Sequence, residues 1–124
     1  LEVQRRIMLG TFVLSAGYYD AYYGKAQSVR RLVKEWTDKT LETYDLILCP
    51  TTPNTAFDIG RVVEDPTVNY LEDIFTVHAN IAGNPAVSVP MGMHPNGLPM
   101  GMQAMGANGA DLDVLAMVGW IQKH

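Results

Sequence analysis

Arg5 and Arg6 stand side by side in "LEVQRRIMLGTF", ahead of an apolar run, and the first acid downstream is Asp20. Two guanidinium groups with no acid close downstream either form a solvated helix end or offer one fork to an anionic ligand, because the planar guanidinium matches a carboxylate or phosphate bidentately. Other chemistry-bearing residues form no recognised set. "GMQAMGANGA" is glycine-rich but lacks the Gly-Lys-Ser/Thr ending of a phosphate loop. His78, His94 and His124 are scattered and Cys49 has no partner at ligand spacing, so no metal site is indicated. Ser15, Ser28 and Ser88 are the serines, none of them in a nucleophile elbow, and Ser88 is flanked by valines. The alternating methionines 91, 93, 100 and 102 could suit a soft metal, but strand packing accounts for them more simply. From the residues alone, the reading ends at an α/β chain with an anion site and no complete catalytic machinery.

The elements that must position these residues can be read from periodicity. Residues 2–16 repeat as a helix. From Tyr18 to Tyr44, Ala26, Val29, Val33, Trp36, Thr40 and Tyr44 recur at spacings of three and four, predicting one buried face with charged residues opposite. Glu35 precedes Lys39 by four residues, a stabilising orientation for a helical ion pair. "DLILCPTTP" predicts a short strand buried on both faces and stopped by Pro50. A loop over residues 53–69 leads to one helix in "PTVNYLEDIFTVHANIAG", capped by Gly83. "AVSVPMGMHPNGLPMGMQAMG" predicts two strands about an Asn96-Gly97 turn, and Asp111 a cap for a last helix. The order of helices, strand, helix, strand pair and helix predicts an α/β or α+β arrangement.

Composition narrows the function classes. A chain of 124 residues is one domain's worth, with 48% hydrophobic and 18% charged residues. The low charge fraction suggests a surface partly covered by something else. A net charge of -4 argues against a free-standing nucleic-acid binder. One cysteine excludes a disulfide framework and fits a reducing compartment, so a cytoplasmic location is expected. Neither a signal-peptide pattern nor an apolar run of membrane-spanning length occurs, and no membrane partner is expected. The first residue is Leu and the opening reads as helix interior, as expected of a piece cut from a longer protein. A sheet cut open would expose an edge, so self-association is expected.

Four blocks carry a resemblance: "RRIMLGTFVLSAGYYDAYYGKAQSVRRLV", "YDLILCPTTPNTAFDIG", "NYLEDIFTVHANIAGNPAVSVPMG" and "NGLPMGMQAMG". In this order, over nearly the whole chain, they resemble the A subunits of the glutamyl-tRNA(Gln) amidotransferases, a branch of the amidase-signature enzymes. "GYYDAYYGKAQSVR" is similar to that branch in particular, while "NPAVSVPMG" and "GLPMGMQ" are shared more widely. His78 departs from a common Pro and Met91 from a common Cys. The resemblance implies the C-terminal portion of one amidase-signature domain over residues 1–124, with a mixed β-sheet core flanked by helices.

It implies a glutaminase whose serine nucleophile, second serine at a cis peptide bond and lysine all lie upstream, so no catalytic residue is expected here and the chain alone should be inactive. It also implies that an arginine holds the α-carboxylate of glutamine and an aspartate the α-amino group; matching "VQRRIMLGTF" and "YLEDIFT" assigns these roles to Arg6 and Asp73. Arg5 is left to solvent or structure. Tyr18, Tyr19, Tyr22 and Tyr23 could line a channel or pack with bonded hydroxyls, and Asp20 serves a helix cap or ion pair. Implied partners are the B and C subunits of a heterotrimer. The B subunit, in this family, holds the tRNA and uses ATP and Mg²⁺ to convert Glu-tRNA(Gln), or in some relatives Asp-tRNA(Asn). No cofactor or metal is expected in this chain. The alternatives are another amidase-signature hydrolase whose amide substrate has no amino-acid head, or a non-catalytic interaction module.

Overall fold

The computed structural model describes residues 2–15, 17–61 and 65–123. Ala16, the last residue of the predicted first helix, and His124 lie outside them, as does part of the predicted 53–69 loop. The chain is mixed α/β, in the order α1 (Glu2–Val13), a π-helical turn (Tyr19–Gly24), α2 (Lys25–Leu41), β1 (Ile47–Pro50), α3 (Pro66–Leu71), α4 (Thr76–Ala82), β2 (Ala86–Met93), β3 (Pro99–Met105) and α5 (Asp111–Ile121).

The sheet is antiparallel with order β1-β3-β2. The predicted hairpin forms as β2 and β3, its turn held by the Leu98 amide donating to Asn96 Oδ1 at 3.1 Å and by Gly97 at φ 83°. A bulge between Pro90 and Gly92 breaks the alternation read for Met91 and Met93, and both are exposed. Val89 and Ala104, with Leu46, Val87 and Met102 beside them, meet Val118 of α5 and form the core. β1 departs from its expected double burial. Among the described residues it pairs with β3 alone, at the sheet margin, and Leu48 is half exposed.

Two hydroxyls pin the far end of the sheet. Thr51 Oγ1 and Ser88 Oγ meet at 2.5 Å across β3. Gly101 lies beneath them, where a Cβ would come within 2.8 Å of Thr51 Oγ1 and 3.0 Å of Ser88 Oγ.

Helix α2 departs from the predicted buried face. Trp36 is 60% exposed and Val29 and Tyr44 are also open, whereas Thr37 is fully buried. The reason is α4, which packs on the side of α2 that carries Val33 and Thr37. Thr37 Oγ1 donates to Val33 O at 2.7 Å, so its lone pair accepts from His78 Nε2 at 2.7 Å. Arg30 Nε donates to Ile81 O at 3.0 Å and closes the carbonyl end of α4. A polar residue can be buried there because both its donor and its acceptor are used. Glu35 turns back to Arg31 at 3.5 Å rather than forward to Lys39, and Lys34 pairs with Asp38 at 3.0 Å.

Two more boundaries differ from the sequence-based expectation. The single helix expected up to Gly83 is broken at Glu72–Phe75 into α3 and α4, with Gly83 capping α4 at φ 79° as expected. Asp111 is the first residue of α5 rather than its cap, a position now held by Ala110; its charge still suits the amide end of the helix.

Candidate functional site

Arg6 projects from the first helix onto the short third one. Its guanidinium carbon lies 5.3 Å from the centroid of the Tyr70 ring, a cation–π contact. Tyr70 is positioned by the start of α3, where Asp65 Oδ1 accepts from the Thr67 amide at 2.8 Å, a side-chain cap of the helix. That bond, together with the Thr67 hydroxyl, holds the Asp65 carboxyl below the ordinary aspartate value of 3.8. Directly after α3 comes the turn Glu72–Phe75, which carries Asp73.

Asp73 and Tyr70 are joined through the backbone, Asp73 N donating to Tyr70 O at 3.3 Å. The Asp73 carbonyl accepts from Val77 N at 2.9 Å and from Thr76 Oγ1 at 3.1 Å, fixing the entry into α4. The Asp73 side chain is exposed. Arg6 and Asp73, far apart in sequence, thus both meet Tyr70, Arg6 at the ring face and Asp73 through the backbone. Glu72 anchors this turn from outside: its Oε1 accepts from Asn54 Nδ2 at 3.4 Å and lies 4.0 Å from Arg61 Nη1. Chemically, a guanidinium fork suits a carboxylate and an exposed carboxylate suits an ammonium.

The larger hollow lies elsewhere. A cleft of about 560 Å³ is bounded by Cys49, Pro50, Pro53, Met91, His94 and Met102, among others, and is largely apolar. Neither Arg6 nor Asp73 lines it, and it holds no nucleophile paired with a base. His94 Nδ1 is occupied by the Asn96 amide at 3.3 Å, and Cys49 Sγ lies 3.5 Å from Gln103 Nε2. The charged groups, rather than this cleft, mark the candidate site. A second groove of about 430 Å³, lined by Leu32, Val33, Trp36, Ile74 and His78, runs beside the turn that carries Asp73.

The remaining sequence candidates find ordinary roles. The tyrosines pack in pairs, Tyr18 on Tyr22 at 5.6 Å and Tyr19 on Tyr23 at 4.9 Å, and the Tyr23 hydroxyl accepts from Gln27 Nε2 at 2.7 Å. Asp20 is exposed in the first turn of the π-helix. Arg5 is exposed on α1. Ser88 is tied to Thr51, with no base beside it. Among the described residues no group of three His, Cys, Asp or Glu side chains could hold a metal ion, and no helix is long and apolar enough to cross a membrane. Sequence reasoning missed Tyr70 and Gln103, since neither residue type carries a motif by itself.

Comparison with known proteins bears on the fold and on the site. Against curated proteins, the chain is 59% identical over 105 residues to the A subunit of the glutamyl-tRNA(Gln) amidotransferase from Brevibacillus brevis, covering 85% of this chain and 21% of that protein. The protein of the same name from Legionella pneumophila is 51% identical over 123 residues, 99% of this chain and 25% of the relative. Among solved structures, the crystal structure of the corresponding A subunit from Thermotoga maritima matches at a TM-score of 0.74 and 54% identity, covering 91% of this chain and 25% of that one. The chain thus spans about a fifth to a quarter of the length of these relatives. A family model described as Amidase matches residues 1–115, a span that includes α1, the Asp73 turn and the whole sheet. By sequence over that span and by fold, this chain belongs to the amidase family.

Proposed function

We propose that residues 1–124 are the glutamine-head-binding portion of one amidase-signature domain, in the glutaminase subunit of a glutamyl-tRNA(Gln) amidotransferase. Arg6 takes the α-carboxylate of glutamine and Asp73 the α-ammonium, which leaves the side-chain amide directed at a nucleophile carried by the rest of the polypeptide. Holding the head in a fixed pose orients the amide for attack, and this is how contacts remote from the reacting bond assist rate. The ammonia released passes to the B subunit, which with ATP and Mg²⁺ converts Glu-tRNA(Gln), and in some relatives Asp-tRNA(Asn), within a cytoplasmic heterotrimer that the C subunit completes. ATP, Mg²⁺ and tRNA are the business of the B subunit. The isolated chain hydrolyses no glutamine and self-associates through faces that the assembled enzyme covers.

The observation that carries this reading is the contact of Arg6 with Tyr70, which brings a guanidinium beside the turn of Asp73. The names of the relatives supply the substrate class. The test is glutamine turnover by the full-length subunit carrying Arg6→Ala, within its complex. Loss of a charge-assisted, bidentate contact is expected to raise KM for glutamine by roughly a hundredfold. Unchanged turnover with unchanged apparent affinity refutes the assignment.

A further inference from the structure

Gln103 lies in the central strand and is 5% exposed, on the sheet face opposite the α5 core. A buried amide needs partners, and this one reaches across 28 residues of sequence to find its main one. Gln103 Nε2 donates to the carbonyl of Phe75 at 3.0 Å, with Cys49 Sγ, a weak acceptor, at 3.5 Å. Phe75 closes the turn that carries Asp73.

The turn's own bonds are unequal: those at its start are long, 3.3 Å from Asp73 N to Tyr70 O and 3.2 Å from Ile74 N to Leu71 O, whereas the Asp73 carbonyl is held by Val77 N at 2.9 Å and Thr76 Oγ1 at 3.1 Å, and Phe75 gives α4 no side-chain cap. Downstream, α4 is tied to α2 by the Thr37–His78 and Arg30–Ile81 bonds. Upstream, Glu72 is held by Asn54 and Arg61. The bond from Gln103 joins the turn itself to the rigid sheet.

We propose that Gln103 is a positioning residue for Asp73: its buried amide clamps the Phe75 carbonyl and so sets where the Asp73 carboxylate meets the substrate ammonium. This rests on the reading of Asp73 given above. The central strand is bonded on both sides, so the Gln103 amide ties the turn to the most constrained element of the sheet. Without the amide donor the turn can relax, and displacements of about 1 Å are enough to weaken a charge-assisted contact substantially.

The experiment measures turnover of two substrates by the full-length subunit in its complex: glutamine, and glutaramic acid, which has the same amide and carboxylate but no α-amino group. Gln103→Met keeps the shape of the side chain and removes the donor. The expected result is a rise of about tenfold in KM for glutamine, with kcat within about twofold and kcat/KM for glutaramic acid unchanged. The Gln103→Met/Asp73→Ala double variant is expected to be no worse for glutamine than Asp73→Ala alone. Equal losses on both substrates, or additive losses in the double variant, overturn the proposal. If Asp73→Ala raises KM and Gln103→Met does not, the positioning role fails while the reading of Asp73 stands. If Asp73→Ala leaves KM for glutamine unchanged, the reading of Asp73 itself fails.

Discussion

Gly106 joins three elements within a few ångströms, and a single methyl group there should be felt in all of them. Its amide donates to Pro85 O at 3.0 Å and its carbonyl accepts from Asn84 Nδ2 at 2.9 Å, so the backbone is held from the β2 side. From the other side, a Cβ built at Gly106 would overlap Cγ2 of Val114, which is itself buried in α5, with Leu46 Cδ2 at 3.8 Å. Gly106→Ala therefore overpacks a site that cannot retreat, at about 1–3 kcal/mol. Reduced freedom of the unfolded chain offsets about 0.4–1 kcal/mol of that, leaving a net loss near 1–2 kcal/mol. Val114→Ala removes two buried methyl groups, worth about 1.6 kcal/mol by transfer alone and more once the cavity is included.

The double variant puts one methyl group where two were lost. Its net deficit is about one methylene, near 0.8 kcal/mol. Gly106→Ala/Val114→Ala should accordingly be more stable than Val114→Ala alone, a reversal of sign that additive effects cannot produce. Equilibrium unfolding in urea, followed by the fluorescence of Trp36 and Trp120, measures all four corners of the cycle. Additive losses would show that Val114 does not meet the glycine, and the packing of α5 described above would be wrong.

Other expectations concern the site and its supports. Tyr70→Leu removes the ring beneath Arg6, and loss of an exposed cation–π contact of about 0.5–1 kcal/mol should raise KM for glutamine about two- to fivefold; an unchanged KM would show that the ring does not orient the arginine. Asp65 has a depressed carboxyl, so its capping of α3 is fully present above the ordinary value of 3.8 and is lost as pH falls through the lower folded-state value. Amide exchange at Thr67 and Val68, corrected for its intrinsic pH dependence, should rise across that acidic window. Asp65→Asn, which can cap without titrating, should remove the pH dependence, and persistence of the rise in this variant would point to another group.

The sequence showed some of this architecture because local chemistry dictated it. Asn96-Gly97 between alternating apolar residues specifies a hairpin, and Gly83 specifies a left-handed helix end; both are properties of a few adjacent residues. The errors arose where a distant partner decided. Spacing gave Val29 and Trp36 to the buried side of α2, but α4 docks against Val33 and Thr37, and the hydroxyl is tolerated because Val33 and His78 use it. The break at Glu72–Phe75 contains neither Gly nor Pro, so periodicity ran through it. Nothing in "YDAYYG" distinguishes a π-helical turn from an α-helical one. The candidate site was legible only through resemblance: an exposed arginine and an exposed aspartate have no pattern that joins them, and Tyr70 is an unremarked aromatic until its ring is seen beneath Arg6.

The two prolines of the outer strands limit how far this sheet can grow. Thr51 N bonds to Gly101 O and Gly106 N to Pro85 O, so by the alternation of an antiparallel ladder Leu48 and Pro50 of β1, and Ala86, Ser88 and Pro90 of β2, turn their backbones outward. Pro50 and Pro90 thus each fall where an added strand would look for a donor and find none. Leu48 is left as the one outward amide of β1, and Ala86 and Ser88 as those of β2 before its bulge. A strand laid on either margin would lose one ladder bond at each proline. The sheet carries its own brake on runaway edge-to-edge assembly.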